Sequence, residues 1–245
     1  MTNLDYGAFD ALTFDCYGTL IDWETGLLAA IRSVVPVGSG GTNDGTRNGT
    51  TDETLLEEYA NAEATMEAGP YLRYRTIVGG GIVAVARAHG VELPADDIAR
   101  LGGSVADWPA FPDSHDALAR LKTRFRLGVL TNCDDDLFAA SNARLRVEFD
   151  WIVTAQQVGS YKPDKRNFAA LVDRLGADGV HQSRILHVAQ SLFHDHEPAQ
   201  RLGFRTVWID RRQDRTGAGA TPLANARPDA TFPSMAAFAA AAVPD

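Results

Sequence analysis

The chain has 245 residues and 45% hydrophobic content, enough apolar material for a full core without disulfide or metal staples. Its formal net charge of -9 argues against nucleic acid and against anionic membrane surfaces as partners. Cys16 and Cys133 are too few for a disulfide framework or a zinc cluster, no apolar run has bilayer length and no signal peptide opens the chain, so a cytoplasmic protein is expected.

Ala11-Leu12-Thr13-Phe14 reads as a short strand buried on both faces. Asp15 follows where the apolar run stops, and Gly18 and Thr19 supply a tight turn. Trp23 to Val35 reads as a helix with Leu27, Leu28 and Ile31 on one side. The Gly-rich segment 38–51 is too polar to pack and is expected to be a flexible surface loop; no strand leads into it and no Gly-Lys-Ser/Thr follows, which argues against a phosphate cradle. The sequon at Asn48-Gly49-Thr50 is taken as chance in a chain without a secretion signal. Thr51 or Asp52 caps a helix running to about Ala68, and Gly69-Pro70 breaks it. Tyr71 to Ala88 continues helical despite Gly79-Gly80-Gly81, and Ala95 to Gly102 adds a short helix. Helices alone therefore fill the region from Trp23 to Trp108.

Alternation begins at Phe111-Pro112-Asp113. A helix over His115–Thr123 precedes a strand over Phe125–Leu130, which ends in Thr131-Asn132. A helix from Leu137 to Leu145, a strand over Phe149–Thr154 and a helix from Lys162-Pro163-Asp164 to Leu175 come next. Ile185–Ala189 is a strand ending in Gln190-Ser191, a helix lies near Pro198–Leu202, and Thr206–Ile209 is the last core strand. Met235–Val243 reads as a terminal helix. This order predicts a doubly wound parallel sheet, Rossmann-like, with an inserted helical domain: core at 1–21 and 109–245, cap at 22–108.

Three strands end in polar residues: Asp15 with Thr19, Thr131 with Asn132, and Gln190 with Ser191 and, a few residues on, Asp195. The carboxyl ends of parallel strands share one edge, so these groups and Lys162 can converge. Taken alone, an Asp at a strand end is a nucleophile, a metal ligand or a turn residue. A carboxylate nucleophile needs an orienting hydroxyl, a cation and a means to activate water, and the set contains all three. His194 and His196 flank Asp195 at a spacing that is not helical ligand spacing, Trp23 and Trp108 read as packing residues, Asp134-Asp135-Asp136 as a solvated helix start, and Arg211, Arg212 and Arg215 as a solvated loop. Both cysteines read as small apolar fillers.

In four ordered pieces the chain resembles the haloacid dehalogenase superfamily. They are Phe14-Asp15-Cys16-Tyr17-Gly18-Thr19-Leu20, Leu130-Thr131-Asn132, Tyr161-Lys162-Pro163-Asp164, and His187-Val188-Ala189-Gln190-Ser191-Leu192-Phe193-His194-Asp195. The resemblance implies Asp15 as nucleophile beneath a helical cap. Superfamily phosphatases carry an Asp where Tyr17 stands and an acid for magnesium where Gln190 stands. Asp-x-Tyr-Gly-Thr instead resembles the metal-free 2-haloacid dehalogenase branch, which displaces halide from a haloacid and hydrolyses the resulting ester. The resemblance then implies that Lys162 stabilises Asp15 and that Thr19 and Thr131 donate hydrogen bonds around it. Asn132 matches the halide-side residue, and Asp195 the acid that orients or deprotonates water. Tyr17, Gln190 and Ser191 would line the substrate pocket. An Arg of the cap contacts the carboxylate or halide in that branch; Arg75, or its neighbour Arg73, is the candidate here. Phe168 stands where those enzymes have a Tyr. No cofactor and no metal are expected, the partner is a small halogenated carboxylic acid such as a haloacetate, and the family suggests a homodimer. The competing readings are a phosphatase of the same superfamily and a non-catalytic protein that kept the fold.

Overall fold

The computed structural model describes residues 4–35, 50–213 and 224–244. The Gly-rich segment up to residue 49 and Arg215 lie outside them. In chain order the elements are β1 (Ala11–Phe14), α1 (Trp23–Arg32), α2 (Asp52–Glu67), α3 (Tyr74–Ala88), α4 (Ala95–Gly102), α5 (Ser114–Lys122), β2 (Arg126–Thr131), α6 (Asp135–Leu145), β3 (Trp151–Thr154) and α7 (Ala155–Val158). Then come α8 (Lys165–Ala177), β4 (Ile185–Ala189), a wide π-type turn over Leu192–His196, α9 (Glu197–Arg201), β5 (Arg205–Ile209), β6 (Ala230–Phe232) and α10 (Met235–Ala242).

The six strands form one parallel sheet in the order β3-β2-β1-β4-β5-β6. Every residue of β1 and of β4 is buried, which is why both read as unbroken apolar runs rather than alternating ones. The chain builds outward from β1 through β2 to β3, then returns to the other side of β1 to lay down β4 and β5. That reversal makes the carboxyl edge of β1 and β4 the switch point of the sheet, where open α/β folds place their ligands. One face packs Leu12, Phe14, Leu127 and Val129 in a cluster with Leu118, Phe138 and Phe238 of α5, α6 and α10. The other packs Leu130 and Val153 with Phe168, Leu171 and Leu175 of α8.

The sheet has one strand more than the sequence reading expects. β6 is three residues long and none of them is buried, too short and too wet for a period-two pattern to show. Its place is set from outside, by pairing with β5 and by bonds from Asp210 N to Phe232 O and from Asp229 N to Thr206 O.

Among the described residues of the predicted insertion, the elements between β1 and α5 are helices, with α1 to α4 in that order. The two connections run side by side, with Ile21 bridged to Ala110, Asp22 N bonded to Pro109 O and Phe111 N to Leu20 O. Thr51 caps α2 by accepting from Thr54 N. The Gly79-Gly80-Gly81 run sits inside α3 because other groups need the space. A Cβ at Gly81 would lie 2.6 Å from the Tyr59 ring, and one at Gly79 2.8 Å from Ile98 O. The helix therefore trades propensity for close packing on α2 and α4.

Candidate active site

Asp15 leaves the end of β1 with its N–H on Val188 O of β4, at 3.1 Å. The chain then turns through Gly18, whose φ of +93° lies where a side chain is strained. The turn brings Thr19 back, and its hydroxyl donates to Asp15 Oδ2 at 2.7 Å while accepting from Gln190 N at 2.9 Å. One hydroxyl thus ties the carboxylate to the ends of two neighbouring strands.

Lys162 is 1% exposed, and its Nζ donates to Asp15 Oδ1 (2.9 Å), Leu130 O (3.0 Å) and Asp195 Oδ1 (2.6 Å). Asn132 locks the backbone of this lysine: its side chain donates to Lys162 O at 3.0 Å and accepts from Lys162 N at 2.7 Å. Asp195 comes from the π-type turn, whose Ser191 accepts from His194 N. His187 of β4 bonds Asp195 Oδ1 through Nε2 at 3.0 Å and Thr13 through Nδ1 at 3.0 Å. With Asp195 ionised, Nε2 donates the bond to its carboxylate. Asp195 Oδ2 is buried with no hydrogen-bond partner among the described residues.

Burial opposes ionisation of Asp195, but Lys162 and His187 outweigh it and hold its carboxyl well below the usual range. Burial raises Asp15 despite the ion pair with Lys162. Burial also opposes the charge on Lys162, yet the two carboxylates overcome it and raise its pKa. His194 and His196 are pushed down to about 4 by burial and so stand neutral at pH 7.

These groups open onto a cavity of about 70 Å³. That is the space of a few waters, which suits a short-chain molecule. Asp15, Asn132, Lys162, Gln190, Ser191 and Asp195 line its floor, and Tyr17, Trp23, Tyr74, Glu63 and Glu67 close it from the side of α1 to α3. Tyr17 presents its ring there: its hydroxyl bonds Ser141 at 2.9 Å, Cys133 Sγ donates to it at 3.3 Å, and Trp108 packs edge-on at 5.8 Å. A neighbouring cavity of about 300 Å³ shares Glu63, Glu67, Lys162 and His194.

Several sequence expectations need correction. Thr131 is buried at the end of β2, but its hydroxyl has no hydrogen-bond partner among the described residues and does not bond Asp15; the Thr19 hydroxyl and Lys162 already take the two oxygens. Arg75 does not line the cavity. It pairs with Asp136 and lies 3.7 Å from Asp134, because it stands at the start of α3 facing the first turn of α6. Arg73 is drawn the same way, to Gln156 at 2.7 Å and to Asp134 and Asp136 at 3.6 Å. Asp134 is not solvated. It is fully buried and accepts from Tyr74 N and Arg75 N, so a residue of the sheet domain caps helix α3. Asp135 accepts from Thr154 and Gln157. Arg211 and Arg212 are not solvated either. Arg211 donates to Thr19 O and pairs with Asp113, and Arg212 pairs with Glu24 of α1 and Glu53 of α2. Trp23, read as packing, lines the cavity.

Sequence reasoning missed Glu63, Glu67, Tyr74, His187 and His194 as site residues. A signal existed for the glutamates: Leu55, Tyr59, Glu63 and Glu67 repeat at i+4, so two carboxylates continue the buried stripe of α2. His187 gave none, because it sits inside an apolar strand. Phe168 packs edge-on against the His187 ring at 5.4 Å and holds it in place.

A family model of haloacid dehalogenase-like hydrolases matches residues 9–203. An (S)-2-haloacid dehalogenase of Pseudomonas sp. (strain YL) is 27% identical over 211 residues, 85% of this chain and 84% of that protein. Another, from Pseudomonas putida, is 25% identical over 205 residues, covering 82% and 84%. Among solved structures, the L-2-haloacid dehalogenase from Xanthobacter autotrophicus with chloropropionic acid covalently bound superposes with a TM-score of 0.74 at 18% identity, over 94% of this chain and 97% of that one.

Proposed function

We propose, from the premise that this chain belongs to the haloacid dehalogenase-like hydrolases, that it hydrolyses the carbon–halogen bond of short 2-haloacids through an ester on Asp15. The carrying observation is Lys162 Nζ, bonded at once to Asp15 Oδ1 and Asp195 Oδ1 at the switch point of the sheet. An Asp15 oxygen attacks the halogen-bearing carbon; the C–O bond forms as the carbon–halogen bond breaks, and halide leaves with the bonding pair. Halide needs no proton to leave, so the ring of Tyr17 can stand where a phosphatase would need an acid. Asn132, which lines the cavity, faces the departing halide. Water then attacks the ester carbonyl carbon, releasing the 2-hydroxyacid and restoring Asp15. Asp195 Oδ2 is the unpartnered acceptor that orients this water. Gln190 and Ser191 border the substrate from the β4 side.

The reaction is metal-independent in this reading. Lys162 Nζ occupies the position between two carboxylates that a divalent ion would have to neutralise, and Gln190 offers an amide in place of an anionic ligand. Residues 22–108 serve as the cap and the remainder as the core, a division supported by the paired connections at Ile21 and Ala110. In this reading the protein acts as a homodimer in the cytoplasm, and light scattering tests the dimer. Among the described residues no helix is long and apolar enough to cross a membrane.

The test is a single turnover of chloroacetate in labelled water. Label should enter the Asp15 carboxylate and reach product only in later turnovers, and Asp15→Asn should release no halide. Label found in the first product would exclude the ester.

A further inference from the structure

The cap side of the cavity is acidic and, among the described residues, has no cation. Glu63 and Glu67 stand one turn apart on α2 and line both the cavity over Asp15 and the larger one beside it. Tyr59 and Tyr74 both donate to Oε1 of Glu63, each at 3.1 Å, and no protein hydrogen bond among the described residues reaches its Oε2. On the floor, Lys162 already bonds Asp15 and Asp195. His194, which also lines the cavity, is neutral at pH 7. If Asp15, Asp195, Glu63 and Glu67 were all ionised, four carboxylates would face one ammonium group. A substrate anion would then enter against a net negative wall.

We propose that Glu63 and Glu67 form a carboxyl clamp: the pair keeps a proton and donates it in a hydrogen bond to the carboxylate of the substrate, so that only the protonated pair captures the anion. The identity of that anion rests on the dehalogenation reading above. An O–H···O⁻ bond of this kind is short and strong, and it supplies a donor where the cavity wall, among the described residues, has no guanidinium. The surroundings favour the proton. Burial pushes Glu63 up to about 7, against the pull of the Tyr59 and Tyr74 hydroxyls. Burial and then the Glu63 charge push Glu67 well above its usual range, against the pull of Lys162. Tyr161 faces Glu67 from the core, and Asp164 lines the same outer cavity. Because a charge on Glu63 raises Glu67, the proton belongs to the pair rather than to either residue. The same wall accepts a monoanion and disfavours a phosphate dianion, so the clamp also sets specificity.

The test measures halide release from chloroacetate over about pH 6 to 9, beside calorimetry of propionate, an unreactive carboxylate, in buffers of different ionisation enthalpy. KM should rise about tenfold per unit above neutrality while kcat changes far less. Propionate binding should take up about one proton on the alkaline side and little on the acid side. Glu63→Gln keeps a neutral donor and should leave KM nearly flat with pH; Glu67→Gln, a second variant, should reduce the rise. A flat KM in the unaltered protein, a rise unchanged in both variants, propionate binding without proton uptake, or a lower KM for chloroacetamide than for chloroacetate at the acid end would each overturn the clamp. The two readings fail separately. Propionate bound with proton uptake by a protein that releases no halide keeps the clamp and refutes dehalogenation. Halide release with a flat KM does the reverse.

Discussion

Lys162 is the residue on which the site turns, because among the described residues it is the one ammonium group beside the buried carboxylates of its floor. Replacing it with Met leaves Asp15 and Asp195 facing each other without a cation. Removing one partner from a buried pair costs about 3–5 kcal/mol. Lys162→Met should therefore unfold at clearly lower urea and lose at least about 100-fold in kcat, the size of loss seen when a charge-stabilising group is removed. Normal halide release by this variant would remove Lys162 from the reaction. His196 shows a different residue-scale effect. It is fully buried, accepts no charge and donates through Nε2 to Ala189 O. Its pKa falls from 6.5 to about 4. The folded state thus binds fewer protons than the unfolded one between these values, so stability from this residue is complete above about 6.5 and is lost as pH falls toward 4. At about 1.4 kcal/mol per unit the loss amounts to roughly 3 kcal/mol. His196→Gln should be the less stable protein at neutral pH, and its deficit should shrink on acidification, as followed by urea titrations at several pH values.

Asp134 and α3 carry the argument at the scale of elements. The first N–H groups of a helix lack partners, and here those of Tyr74 and Arg75 are met by a carboxylate from the loop after β2. The bond is at once a helix cap and a fastener between cap and core, with Arg73 and Arg75 neutralising the charge from outside. Asp134→Ala should cost about 1–3 kcal/mol, the range for a lost cap plus buried unsatisfied donors. Amide exchange should speed up at Tyr74 and Arg75 before it does in β1. Equal exchange in variant and parent would mean that the helix start is held by packing alone. Gly81→Ala tests the other end of the same packing. Ala gains about 1 kcal/mol of helix propensity. Its Cβ, however, would meet the Tyr59 ring at 2.6 Å, and Tyr59 is one of the two donors to Glu63. The steric cost of about 1–3 kcal/mol should outweigh the gain. The variant should be less stable, with a raised KM for chloroacetate.

At the scale of the whole molecule, the sheet brings four separate stretches of chain to one edge and the inserted helices close over them. The proposed neutralisation of that edge by lysine rather than by metal has a direct consequence. Halide release should survive EDTA unchanged, and added magnesium should give no increase. Gln190→Asp, which adds a hard anionic ligand beside the nucleophile, should raise magnesium affinity and lower halide release. Activity lost on chelation and restored by magnesium would return the phosphatase reading to first place.

The sequence alone determined the fold class, the helical insertion between β1 and the remaining strands, and the meeting of Asp15, Thr19, Lys162 and Asp195. Those features are local: apolar runs of strand length, polar residues where the runs stop, and a parallel sheet that gathers strand ends on one edge. Tertiary structure decided what each polar group does once it arrives there. Thr131 ends β2 and Thr19 sits in the turn after β1, and only Thr19 is brought back onto Asp15, by the φ of Gly18. Arg75 has the charge to meet a substrate anion, but the fold sets Asp134 and Asp136 closer to it than the cavity. Asp134 and Arg212 look like surface charges in the chain and become links between cap and core, because their partners lie about 60 and 160 to 190 residues away. Glu63 and Glu67 continue the i+4 stripe of α2 along the chain, but only the packing shows that this stripe ends at the cavity over Asp15. Charge and spacing are written along the chain, but the partner that settles a charge is chosen by packing between distant segments, and burial then sets its proton.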